Sequence, residues 1–464
     1  MSAYEEFLAG KLAHDKPSGF GADVSSDELF PYQRDLVRWA LHRGRAAIFA
    51  STGLGKTRMQ LEWARQVATH EGGKVLVLAP LAVAAQTASE ARVLDMDVSV
   101  CRQQSDATTA VSVANYERLH LFEPSSFCGV VLDESSCIKH FNSKTLTQLV
   151  AAFGRTPYRL AATATPAPND WTELGTHAEF LGVCSREEML AEFFCHDGGE
   201  TQVWRLKGHA QREFWRWVAS WGALVRNPSD LGYDGSAHVL PPLISKQHTI
   251  MVETHEIFAT GQLFPDDSAS LMERKDARRA SLTDRVAACA ALVNNSDESW
   301  VVWCDLNAEG DALRDAIPDA VEVRGSDSIE DKEQRLEDFA SGKIRVLVTK
   351  PSIAGYGLNW QHCAHMAFVG LTDSWEAYFQ SVRRCWRFGQ KRPVEVHVFA
   401  SELEGAVVRN VERKAKDAEA MSEALAREAS SVVRAEVTGV ARLNTTGKHT
   451  KKTRLPTFIA TRGA

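Results

Sequence analysis

Ala50-Ser51-Thr52-Gly53-Leu54-Gly55-Lys56-Thr57 follows an apolar β-branched run and opens a helical pattern, the setting a phosphate-binding loop requires. Small residues let backbone N–H groups wrap phosphates, and the helix N-terminus favours an anion. Lys56 is placed to reach β- and γ-phosphates and Thr57 to ligate Mg2+. Ala50 stands where the strict pattern has Gly, so this is the relaxed form; its alternative is a glycine-rich turn without ligand. Further on, Gly129-Val130-Val131-Leu132-Asp133-Glu134 is an apolar strand closed by two carboxylates. Asp133 is a candidate to hold Mg2+ through water, and Glu134 to orient or deprotonate an attacking water. Alone, such a pair is more often a solvated loop start; the phosphate loop upstream reverses that reading.

Two further segments complete a phosphoryl-transfer constellation. Leu160-Ala161-Ala162-Thr163-Ala164-Thr165-Pro166 is a strand running into a Thr-rich turn, able to relay nucleotide state through hydroxyl hydrogen bonds, or simply a strand exit with a proline stop. In Gln380 to Gln390, Arg384 and Arg387 stand three apart, the spacing of neighbours on one helical face. Guanidinium groups there could meet charge developing on a γ-phosphate across a cleft. The alternative is a basic solvated helix.

Such residues need rigid carriers. Short β-branched runs alternate with helical stretches in the first half and again from Trp300 to about Ala400, which predicts two α/β domains with parallel sheets and crossover helices. Between them the pattern turns amphipathic and rich in Trp and Arg, up to a break at Pro241-Pro242. Trp204, Trp215, Trp217 and Trp221 interleave with Arg205, Arg212, Arg216 and Arg226, a composition suited to stacking on bases but more often helix-packing core. A chain of 464 residues, 44% of them hydrophobic, suffices for two or three domains with their own cores. The net charge of −7 gives no global pull toward a polyanion, so any nucleic-acid contact must come from local patches or backbone amides. Nine scattered cysteines without a CxxC pair read as reduced, mostly buried thiols. No membrane span or secretory leader is expected, leaving a cytosolic compartment.

In order, these segments resemble the Swi/Snf-like group of superfamily-two helicases, especially compact bacteriophage versions, over roughly residues 29 to 400. Leu29-Phe30-Pro31-Tyr32-Gln33 is similar to the motif that reads adenine, which implies that role for Gln33. Val77 to Leu81, with Pro80, and Asn115-Tyr116-Glu117 resemble motifs that touch the tracking strand. Asp133-Glu134 begins motif II, with Ser136 where the family usually has His. Ala354 to Trp360 resembles motif V, with Gly355, Gly357 and Asn359 in place and Ser352 replacing a basic residue. Gln380 to Gln390 resembles motif VI, which makes Arg384 and Arg387 the fingers and leaves Arg383 at a usually acidic position.

The resemblance implies two RecA-like lobes with helical insertions between them and a C-terminal helical extension. Expected boundaries are an N-terminal extension at 1–28, lobe 1 at 29–238 with a helical insertion near 174–230, lobe 2 at 239–404 with one near 255–290, and a helical extension with a basic tail at 405–464. ATP and Mg2+ are the expected cofactors. Lys56, Asp133, Glu134, Arg384 and Arg387 are the expected catalytic set; Gln33, Thr52, Gly53, Gly55, Lys56, Thr57, Gly357 and Gln380 bind nucleotide; Thr57 and Asp133 hold the metal. Pro80, Asn115, Tyr116, Thr163, Thr165, Ser352, Gly355 and Asn359 face nucleic acid. The expected activity is translocation along double-stranded DNA by a monomer, in the host cytoplasm if phage-encoded. Rivals are a strand-separating or branch-migrating helicase, an RNA-directed motor, and a nucleic-acid-binding protein with a vestigial ATP site.

Overall fold

The computed structural model describes residues 17–80, 83–138, 143–167, 170–197, 200–251, 279, 281–354, 359–371, 374–401, 413–414, 416 and 430–440. Most of the expected insertion at 255–290 lies outside the described residues, as do Gly355, Gly357 and most of the extension beyond 405.

The first lobe opens with α1 (Pro31–Arg43) and continues through β1 (Arg45–Ala50), α2 (Lys56–Glu71), β2 (Val75–Ala79), α3 (Ala84–Val93), β3 (Val98–Cys101), β4 (Val111–Asn115), β5 (Gly129–Asp133), α4 (Lys144–Phe153) and β6 (Tyr158–Thr163). Then come α5 (Leu174–Leu181), α6 (Arg186–Phe193), β7 (Phe194–Asp197), β8 (Glu200–Leu206), α7 (Gln211–Trp221) and β9 (Gly222–Val225). Seven strands form one sheet in the order β3-β4-β2-β5-β6-β1-β9, and every pairing in it is parallel. Its central strands are unbroken apolar runs because helices cover both faces. Along β2, Val75, Val77 and Ala79 enter one core layer and Leu76 and Leu78 the other.

The second lobe carries β10 (Leu243–Ile250), α8 (Leu282–Asn294), β11 (Trp300–Trp303), α9 (Asn307–Ala316), β12 (Ala320–Glu322), α10 (Ile329–Ala340), β13 (Val346–Thr349), β14 (His365–Phe368), α11 (Trp375–Val382) and β15 (Val394–Ser401). Its six strands run β10-β15-β14-β11-β13-β12, again all parallel. A fully buried ion pair, Arg285 Nη2 to Glu309 Oε1 at 3.0 Å, ties α8 to α9. The remaining Glu309 oxygen accepts from the Asp305 and Leu306 amides at 2.9 Å each. The architecture is α/β, two parallel-sheet RecA-like lobes.

The Trp-rich stretch differs from a purely helical insertion. β7 and β8 form an antiparallel pair within it, and β9 returns to the main sheet beside β1. Trp215 and Trp221 are buried, Trp217 packs between Phe193 and Trp221, and Trp204 lies half-buried against the same core, so all four tryptophans serve packing. Helical residues 430–440 lie against the first lobe. Val433, Val437 and Val440 join the core layer of Leu36 and Trp39, and Arg43 pairs with Glu436 at 2.7 Å. No helix among the described residues is long and apolar enough to cross a membrane.

Candidate nucleotide cleft

The strands β5, β6 and β1 lie side by side and end at one edge of the first sheet, the place where open parallel sheets collect ligands. β6 separates the acidic strand from the phosphate-loop strand, so the two are second neighbours. In the loop leaving β1, Gly53 (φ +88°) and Gly55 (φ +74°) take left-handed conformations that L side chains rarely adopt. The space is closed as well: a Cβ on Gly53 would lie 2.8 Å from Phe388 Cβ of the other lobe, and one on Gly55 would strike the Gln33 amide. Lys56 Nζ rests on the Ala50 carbonyl at 2.9 Å, and burial lowers its pKa against the opposing pull of Glu134 and Asp133. The Thr52 hydroxyl oxygen is buried without a hydrogen-bond partner among the described residues. Gln33 bridges the loop to its own helix start: its Nε2 donates to Leu54 O at 2.8 Å, and its Oε1 accepts from the Phe30 amide at 2.9 Å.

Asp133 and Glu134 are both buried. Burial first, then the Glu134 charge, pushes the Asp133 carboxyl up to about 6; Gln60 Nε2 at 2.7 Å and Lys56 pull the other way. Tyr116 Oη donates to the Asp133 carbonyl at 2.7 Å. Glu134 adopts φ +49°, an uncommon conformation for a residue with a Cβ. The Thr163 hydroxyl reaches its Oε2 at 3.4 Å. Beneath this turn, His177 is fully buried with Nε2 3.1 Å from Ser135 Oγ, and desolvation lowers its pKa to about 4.

The second lobe closes the cleft with Asn359, Arg384, Arg387 and Phe388. α11 stops at Val382, so a turn carries the two arginines, not the helical face that their spacing predicts. Arg384 Nε donates to Gln380 O at 2.9 Å and its Nη2 to Gln380 Oε1 at 3.2 Å. Gln380 is fully buried, lies behind the cleft lining and holds Arg384 from that side. Arg383 packs over the Trp386 ring at 4.3 Å. The result is a cavity of about 350 Å³ that gathers Gln33, Thr52, Gly53, Gly55, Lys56 and Thr57 with Asp133, Glu134, Arg384 and Arg387.

The expected nucleic-acid residues divide. Pro80, Tyr116 and Ser352 line an adjoining interlobe cavity of about 530 Å³, which Glu134 also borders. Asn115 and Asn359 line a third, of about 710 Å³. Thr163 and Thr165 are buried: the Thr163 hydroxyl donates to Glu134 and accepts from the Thr165 amide, and the Thr165 hydroxyl oxygen has no hydrogen-bond partner among the described residues, so neither lines these cavities. Gly355 and Gly357 lie outside the described residues. Sequence reading missed Gln60 and His177, inward-facing polar residues within helices that carry no local signal.

Residues 285–389, most of the second lobe, match the helicase conserved C-terminal domain family. This lobe is a helicase-type C-terminal domain. The chain is also similar to the bifunctional helicase and thymine dioxygenase JBP2 of Leishmania braziliensis, 36% identical over 97 residues, covering 20% of this chain and 9% of that protein. JBP2 of Leishmania infantum is 35% identical over the same length and shares. That of Leishmania tarentolae is 34% identical over 90 residues, 18% of this chain and 8% of the relative. The match thus spans less than a tenth of the relatives' length.

Proposed function

We propose that the chain is a nucleic-acid motor that hydrolyses ATP between its lobes and uses the cycle to move along double-stranded DNA. The observation that supports it best is the composition of the cleft, where phosphate loop and acidic pair come from one sheet and two arginines from the other. The residues suit ATP with Mg2+. The orphaned Thr52 hydroxyl and the loop's left-handed glycines fit an anion, and the Lys56 amine rests on backbone carbonyls. Thr57 and, through water, Asp133 would hold Mg2+, which when bound neutralises charge on the phosphate oxygens.

In this reading Lys56 grips the β- and γ-phosphates and Glu134 orients the attacking water and accepts its proton, steered by Thr163. Arg387, with Arg384 braced by Gln380, places positive charge where the transition state gathers negative charge, an effect worth roughly a thousandfold or more in rate. Because the two arginines arrive from the second lobe, hydrolysis depends on closure, and its products release it. Residues 29–238 and 239–404 would be the two moving bodies. The Swi/Snf-like motifs support duplex DNA as the track.

Steady-state ATPase rates of the wild type, Lys56→Ala and Arg387→Ala, each with duplex DNA, single-stranded DNA or RNA at one low salt concentration, test this. Duplex DNA is expected to stimulate the wild type and neither variant. Stimulation by single strands or RNA alone overturns the duplex track, and no hydrolysis with any of them overturns the motor.

A further inference from the structure

Residues 226–242 join the two sheets, and this segment meets the nucleotide cleft from both sides. At the end of its short turn Ser236–His238, the His238 ring stacks on Phe388 of the second lobe, centroids 4.8 Å apart, and meets the Phe30 ring edge-on at 5.6 Å. Phe30 and Phe388 line the cleft; His238 stands outside that lining and touches both. Its Nε2 lies 3.2 Å from Tyr32 Oη, and that hydroxyl reaches the Leu54 carbonyl of the phosphate loop at 3.1 Å. Three residues on, the segment takes a second hold, as Trp386 Nε1 donates to Pro241 O at 2.7 Å. Trp386 and Phe388 are the two sequence neighbours of Arg387, so the joining segment grips the arginine turn on either side of that residue.

Packing alone does not call for a histidine here. The Tyr32 hydroxyl has one proton, and with that proton given to Leu54 O it receives another from His238 Nε2. The neutral ring then carries no proton on Nδ1, and this nitrogen is buried without a partner among the described residues. Burial lowers the pKa of the ring and so favours the neutral form. A phenylalanine would stack on Phe388 as well and leave no buried nitrogen unpaired; only the contact with Tyr32 offsets that cost. The ring thus joins two tasks: its face holds Phe388, and its edge is tied through Tyr32 to the phosphate loop. That loop bears on the same side chain, since a Cβ on Gly53 would lie 2.8 Å from Phe388 Cβ.

We propose that His238 is a positioning residue for phosphoryl transfer, tying the phosphate loop to the turn that carries Arg387, so that the segment between the lobes fixes where this guanidinium stands. The inference rests on the motor reading and deepens it by giving the joining segment a part in the reaction. His238 touches no substrate and acts through Phe388 and Tyr32. A guanidinium displaced by about 1 Å is expected to slow transfer by on the order of tenfold to a hundredfold. ATP still binds, because the phosphate loop and Gln33 belong to the first lobe, so the loss falls on kcat and not on KM.

The test uses the full chain as wild type and as three variants, with thermal unfolding to establish that each is folded. His238→Gln keeps a donor and loses the ring, His238→Phe keeps the ring and loses the donor, and Trp386→Phe loses only the hold on Pro241. Steady-state ATPase rates with duplex DNA are paired with deuterium uptake, without nucleotide, of peptides spanning 384–390 and of the core strand 75–79 as reference. For His238→Gln and Trp386→Phe, kcat is expected to fall by about tenfold or more with KM for ATP within about threefold. Uptake is expected to rise at 384–390 and to stay unchanged at 75–79, with His238→Phe between wild type and His238→Gln in both measurements. A kcat for His238→Gln within about twofold of wild type overturns the proposal and leaves the motor reading intact. A slower His238→Gln whose uptake at 384–390 is unchanged overturns the route through the arginine turn. A wild type that hydrolyses no ATP overturns the motor reading and with it the role in transfer, whereas the uptake difference still reads the hold on the turn.

Discussion

Replacing His177 with glutamine probes the floor of the acidic turn. His177 is fully buried, 3.1 Å from the Ser135 hydroxyl and edge-on to Phe49 at 5.2 Å, and burial holds its pKa at about 4. The unfolded chain titrates this group near 6.5. With the folded value the lower, the stabilising contribution is complete above about 6.5 and drains away as pH falls toward 4, because the unfolded chain takes up a proton that the folded one refuses. Integrating between those values gives a loss of about 2 kcal/mol at pH 5 and about 3 kcal/mol at pH 4. Glutamine forfeits the Ser135 contact at every pH, roughly 1 to 2 kcal/mol, and carries no titration. Urea unfolding of the two proteins, followed by tryptophan fluorescence at pH 7.5, 6 and 5, should show the wild type's advantage at neutral pH shrinking and then reversing. Stability curves that stay parallel from pH 7.5 to 5 would refute the reasoning.

Gly53→Ala places a methyl group against Phe388 at a positive φ, so it should obstruct closure of the lobes. We expect kcat/KM for ATP to fall by more than about tenfold, and a value within twofold of wild type in a steady-state assay contradicts the contact. Glu309→Ala leaves Arg285 buried without its carboxylate and is expected to cost the second lobe roughly 3 to 5 kcal/mol. Thermal unfolding reads this loss, and a midpoint within a degree of wild type would show that the buried pair contributes nothing.

The parts of the cleft that read directly from sequence are those whose chemistry requires contiguous residue types. The phosphate loop needs small residues, a lysine and a hydroxyl in one turn, and the acidic pair needs a buried strand that ends in carboxylates. The strand alternation likewise announced both sheets, since doubly covered parallel strands leave long apolar runs. What escaped is non-local. β9 is four residues in a stretch dominated by Trp and Arg, and only its pairing with β1 makes it a strand. Arg384 and Arg387 lie where the spacing suggested, yet on a turn, because α11 ends at Val382 and the Arg384 side chain folds back onto Gln380. Gln60 and His177 reach the acidic turn from α2 and α5, distances in sequence that no local pattern spans.

The return of residues 430–440 to the first lobe gives the molecule a mechanical character. The chain enters the second sheet from the first lobe through 226–242, and beyond that sheet residues 430–440 pack on the first lobe again. The sheet's two chain ends belong to β10 and β15, adjacent parallel strands in register from Leu243 opposite Val394 to Ile250 opposite Ser401. Entry at Leu243 and exit at Ser401 therefore sit at opposite ends of one sheet edge. A rotation of the second sheet about the line between them moves its far strands most. The strand farthest from that line is β12, five strand spacings away, a lever of about 24 Å, and α10 follows it directly. A small change of angle about that line becomes the longest travel at this helix, whose Glu330 meets Arg102 of the first lobe at 3.7 Å.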